Sequence, residues 1–141
     1  MNTVESRQLR DHLVDAMRGH QAHLDFDSAL ENFPVELAGE RPAGAPHSAW
    51  QLLEHMRITQ SDILEFSRDS THDSPDWPVG YWPKTAAPPT AKAWQESADK
   101  FRQDYSALTK LVLDLQNNLL EPFEHGHGQD LLGVLLTDDV V

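Results

Sequence analysis

Eight histidines in 141 residues are the compositional oddity of this chain. Imidazole both titrates near neutral pH and ligates first-row metals, so each histidine is a candidate for chemistry. His55 follows Leu52 by three residues and precedes Thr59 by four, at the edge of a helically spaced apolar stripe. Helical bundles build metal sites from inward side chains on facing helices, so His55 is a candidate ligand. The plainer account, a core histidine bonded to a neighbour, is the default on spacing alone. Asp62, seven residues on, shares that face and can reach the other ring nitrogen of His55 only through an intermediate group. His20 and His23 form a His-x-x-His pair with no third ligand nearby, which a solvated helix end accounts for more simply. In His125-Gly126-His127-Gly128 two glycines permit close backbone approach. A metal or anion role there competes with a plain turn leading into a helix. His12 sits beside Leu13 and reads as exposed, while His47 and His72 lack partners in the sequence. No Ser-His-Asp order, phosphate-cradling glycine loop or His-Glu-x-x-His helix is present.

Composition narrows the classes. There is no cysteine, which removes disulfides, thiolate zinc sites and cysteine nucleophiles. Eleven basic against 23 acidic residues give a net charge of −12, and the basic residues are scattered singly. That pattern argues against a nucleic-acid partner. No apolar run reaches the roughly 18 residues a membrane span needs, so no membrane partner is expected. Met1-Asn2-Thr3-Val4-Glu5-Ser6-Arg7 opens no apolar signal core, and the expected location is the cytoplasm.

The elements that must position these side chains read as helices. Leu9, Leu13, Ala16 and Met17 set the first helix over Val4 to Met17, with Gly19 as its stop. Asp25 can cap a short helix over Phe26 to Phe33 that Pro34 ends, and Pro34 to Pro46 reads as loop. Ser48 with Gln51 forms a capping box for a helix over Ala49 to Arg68, with Leu52, Met56, Thr59, Ile63 and Phe66 as its apolar face. Asp69 to Pro89 holds five prolines and cannot be helix; its Trp77, Tyr81 and Trp82 are expected to pack back onto the bundle. Thr90 caps the clearest helix, with Trp94, Ala98, Phe101, Tyr105, Leu108, Val112 and Leu115 in register and Asn117-Asn118 as its end. A last helix starts near Gln129 and runs little more than two turns through Leu131 to Leu136, so packing must hold it. The expected fold is all-α, an antiparallel bundle forming one domain over 1–141.

The run Pro46-His47-Ser48-Ala49-Trp50-Gln51-Leu52-Leu53-Glu54-His55-Met56-Arg57-Ile58-Thr59-Gln60-Ser61-Asp62-Ile63-Leu64-Glu65-Phe66 resembles the DinB-like (YfiT-type) four-helix bundles, small bacterial proteins named for damage-inducible genes. Ala22-His23-Leu24, Phe26 to Phe33, Trp77 to Pro83 and His127-Gly128-Gln129 are similar to that family too. The resemblance implies a DinB-like four-helix bundle and a divalent metal, zinc or nickel, held by three histidines. His55 matches the ligand on the second long helix. The other two form a His-x-x-x-His pair on the last helix, and this sequence has none; Thr137-Asp138-Asp139-Val140-Val141 stands where it is due. The expectation is therefore a truncated last helix and an incomplete site, unless Asp138, Asp139 or His127 rebuilds it beside His55. Characterised members look like thiol-dependent S-transferases or hydrolases, in which the metal generates the nucleophile by lowering the pKa of a bound thiol or water. The small-molecule pocket would be walled by Trp50, Thr59, Trp77, Tyr81 and Trp82, and its substrate is unspecified. The competing class is a non-enzymatic, stress-related scaffold. Each core Leu or Phe that a shortened helix leaves uncovered forgoes about 1.5–3 kcal/mol, which implies a homodimer or larger oligomer.

Overall fold

The computed structural model describes residues 1–17 and 26–137. Its regular elements are α1 (Thr3–Met17), α2 (Phe26–Leu30), α3 (Ala49–Arg68), α4 (Ala91–Leu113) and α5 (Leu131–Thr137), with 3-10 turns at Val35–Leu37 and Val79–Tyr81. The described residues hold no strand, so the all-helical bundle expected from the periodicities is what forms. None of these helices is long and apolar enough to cross a membrane.

Local chemistry sets the helix starts. Ser48 is extended (φ −81°, ψ 165°), and its Oγ accepts the Gln51 N–H at 3.2 Å while Gln51 Oε1 accepts the Ser48 N–H at 2.9 Å. The capping box therefore opens α3 at Ala49 as expected. Thr90 Oγ1 accepts the Ala93 N–H at 3.0 Å and opens α4 in the same way. The Asp25 cap, His20 and His23 lie outside the described residues. The short helix stops at Leu30 rather than Phe33, because Asn32 turns to φ 57° ahead of Pro34.

Helix direction follows from the cross-contacts. Ser97 Oγ donates to Glu54 and Gln60 Nε2 to the Phe101 carbonyl, separations of 43 and 41 residues. A near-constant separation means that α3 and α4 run parallel; an antiparallel pair would keep the sum constant. Arg10, midway along α1, meets the end of α4, and Phe26 of α2 stacks on Phe101 nearer its middle. Parallel neighbours cannot be joined by a tight turn. The chain must travel back along α3, whose 20 residues span about 30 Å. Residues 69–90 are that crossover strap. Its far end is fixed where the Ser48 hydroxyl donates to the Ala86 carbonyl, and where Gly39 packs so closely that a Cβ there would lie 2.4 Å from Ala87 Cβ.

Two buried clusters fill the bundle. Leu13, Val14, Phe66, Val112, Leu119, Leu131 and Val134 join α1, α3, α4 and α5 at one end. Ala38, Trp50, Leu53, Trp94 and Ala98, with Phe26 and Phe33 against them, join α2, α3 and α4 at the other. Burial of Leu131 and Val134 supplies the packing that a seven-residue helix needs.

Two expectations change. The face of α3 read as core is only partly so: Leu52 and Met56 are 47% and 42% exposed. Phe66 of that face is buried as expected; the other buried residues are Trp50, Leu53 and Leu64 toward α4, and Asp62 beside Phe66 on a second arc. Ile63 shares the face of Leu52 and Met56 and packs into the cluster that contains α5, whose described residues span about 10 Å at that end. The second change is at α4, which ends at Leu113 and leaves Leu115 exposed. There the buried Arg10 guanidinium donates to the carbonyls of Val112, Asp114 and Asn117 at 2.6, 2.7 and 2.5 Å. Carbonyls orphaned at a helix end need such donors, and a fork reaching three of them holds the chain in its turn away from the helix. Arg10→Ala is expected to destabilise the fold by about 3 kcal/mol, measured as a loss of urea-unfolding free energy with the helical circular dichroism retained.

Candidate functional site

The strap leaves α3 at Asp69, whose carboxylate accepts from Thr71 Oγ1 and from the Thr71 N–H at 2.7 and 2.9 Å. These bonds favour the ionised form and hold the Asp69 carboxyl below the ordinary carboxylate range. Beyond this turn the strap lays Tyr81 and Trp82 against α3. Tyr81 is 2% exposed and Trp82 half-buried, as expected of aromatics that pack back. Trp77, next to the cis peptide at Pro78, is 65% exposed and meets Tyr81 only edge-on, at 5.3 Å between ring centroids.

At the centre of the contact is Asp62, 2% exposed on α3. Its Oδ1 pairs with His72 Nε2 and its Oδ2 accepts the Tyr81 hydroxyl, both at 2.7 Å. Burying a carboxylate is costly unless it is paired and hydrogen-bonded, and here both oxygens take donors from the strap. The Tyr81 carbonyl then faces His55 Nδ1 at 2.7 Å. A carbonyl can only accept, so Nδ1 carries the proton and the lone pair of the neutral ring lies on Nε2. The His55 ring stacks on Trp82 at 3.9 Å and 7°, and His47 stacks on the same indole at 4.0 Å. The intermediate group that Asp62 needs to reach His55 is thus Tyr81, supplied by the strap.

The other residues singled out from sequence fall into different places. Trp50 lies five residues before His55, about 140° round the helix. It lines a cleft of about 330 Å³ between α3 and α4 with Glu54, Arg57, Ser97 and Lys100. Its indole nitrogen is buried and takes no acceptor among the described residues. Thr59 is one turn beyond His55, half-buried, with its hydroxyl likewise without a partner there. His127 is exposed, its N–H donating to Gln129 Oε1. Its turn is anchored through His125 Nε2, 2.7 Å from the Phe66 carbonyl, eleven residues or about 16 Å along α3 from His55. Among the described residues no three His, Cys, Asp or Glu side chains form a group able to hold a metal; Asp138 and Asp139 lie outside them. The described donors fit a single imidazole contact, not a closed metal site. His72 and His47 had no signal in the sequence, because both meet their partners only through the path of the strap.

A helical bundle whose crossover strap secures one imidazole of its second long helix is the class these features define. The sequence profile of the DinB superfamily matches residues 18–137, and the chain belongs to that superfamily. No curated protein and no solved structure matches it.

The Asp69 bonds set a pH dependence. A carboxyl whose folded pKa is depressed stabilises the fold above its unfolded pKa, and that contribution is lost as pH falls through the folded pKa. Thr71→Ala is expected to raise the Asp69 pKa toward its ordinary value, followed by NMR titration of the carboxyl carbon. The stability difference from wild type should be present at neutral pH and vanish in acid.

Proposed function

We propose that His55 is the retained ligand position of a divalent-metal site, zinc or nickel, inherited from enzymes of the thiol-dependent S-transferase or hydrolase type. The observation that carries this reading is the hydrogen bond of His55 Nδ1 to the Tyr81 carbonyl, which puts the lone pair on Nε2. Metal-ligating histidines ordinarily have their other ring nitrogen tied in this way. Superfamily membership supports the descent. One imidazole does not make a catalytic zinc site, which takes about three protein ligands, so on this reading the described residues by themselves bind metal weakly and do not complete the ancestral site. His127 enters as an exposed donor on a separate turn and is tested separately. The second reading, a non-enzymatic stress-related scaffold, is favoured by the lack of a three-ligand group among the described residues. We place the protein in the cytoplasm and infer that it works as a homodimer, since Leu52 and Met56 expose apolar surface beside His55.

Calorimetric titration of the untagged protein with Ni²⁺ or Zn²⁺ tests the metal reading. The expected result is one weakly bound equivalent, with at least a tenfold loss of affinity in His55→Ala and a smaller loss in His127→Ala. Binding that is absent, or equal in His55→Ala, selects the scaffold. Sedimentation velocity tests the association: wild type should run as a dimer and Met56→Glu as a monomer, and a wild-type monomer at micromolar concentration contradicts the inference.

A further inference from the structure

The geometry points to Asp62 as a positioning residue for His55, acting through Tyr81. This deepens the reading of His55 as a ligand and rests on it. Asp62 and His55 lie two turns apart on α3, about 10 Å, too far for direct contact. Tyr81 spans the gap and is held at both ends, its hydroxyl by Asp62 Oδ2 at 2.7 Å and its carbonyl by His55 Nδ1 at 2.7 Å. A tyrosine side chain has only two rotatable bonds, so anchoring its hydroxyl restricts where the backbone that bears the carbonyl can lie. The next residue, Trp82, supplies the ring stacked on His55. One buried carboxylate therefore sets both contacts on the imidazole: the acceptor that selects its tautomer and the plane that sets its tilt. His72, on the other oxygen of Asp62, keeps that carboxylate turned toward the strap.

Nitrogen-15 NMR of the imidazoles, at a pH where the rings are neutral, reads this directly. Wild-type His55 should show one tautomer, protonated at Nδ1, with ring protons displaced by the Trp82 indole. Tyr81→Phe keeps the carbonyl and the aromatic ring but cuts the link to Asp62. It should give a mixture of tautomers and smaller ring-current displacements while the circular dichroism stays unchanged. Asp62→Ala should do the same more strongly; where it fails to fold, Tyr81→Phe decides alone. The metal readout expected alongside is a ten- to hundredfold loss of Ni²⁺ affinity in Tyr81→Phe. Identical His55 signals in wild type and folded Tyr81→Phe overturn the positioning role, whatever the metal result. Failure of wild type to take up Ni²⁺ sinks the functional reading instead, and the tautomer comparison still tests the positioning.

Discussion

The structure depends on satisfying one buried carboxylate. Because α3 and α4 run parallel, the chain between them must retrace the length of α3, and a proline-rich strap has no backbone ladder to hold it there. Asp62 provides the fixed point. Its two oxygens bind His72 and Tyr81 from different parts of the strap, so the strap has one register in which the carboxylate is fully paired. Away from that register a carboxylate in the interior of a helical bundle would stand unpaired, at a cost of several kcal/mol.

The same constraint organises the candidate site. Trp82 and the Tyr81 carbonyl reach His55 because Asp62 holds the strap, and His47 joins the stack from the residue before the Ser48 cap. Both sides of the imidazole chemistry are thereby assigned: Nδ1 is committed to the strap, and Nε2 is left with the lone pair. At the close of α4 Arg10 does a comparable job with the reverse charge. It gathers carbonyls at the close of α4 and so steers the chain toward Leu119, on which α5 packs. Arg10 and Asp62 are thus buried ionic groups that each tie a connecting segment to a helix.

Much of this architecture is legible in the residues. The capping box at Ser48 and the Thr90 cap mark helix starts to the residue, because cap chemistry is local and needs only a few neighbours. The core stripe of α4 is legible because that helix buries one broad face. The stripe of α3 is not, because α3 is covered on two sides, by α4 and by the strap, and several overlapping apolar stripes satisfy the same periodicity. The end of α4 is hidden for a different reason: Arg10 lies more than a hundred residues upstream of the carbonyls it binds.

The candidate site divides along the same line. The amino-acid order by itself determined that His55 and Asp62 share one face of a helix, since a seven-residue spacing returns to nearly the same angle after two turns. It also determined that the stretch after Arg68 is an aromatic, proline-rich connection, since five prolines forbid a helix there. Only the tertiary structure decided that Tyr81 bridges the two, that His72 completes Asp62, and that Trp50 turns away toward α4. Those pairings arise from the path of a strap without periodicity, and a hydrogen bond between residues ten to twenty-six positions apart leaves no mark in the spacing of either.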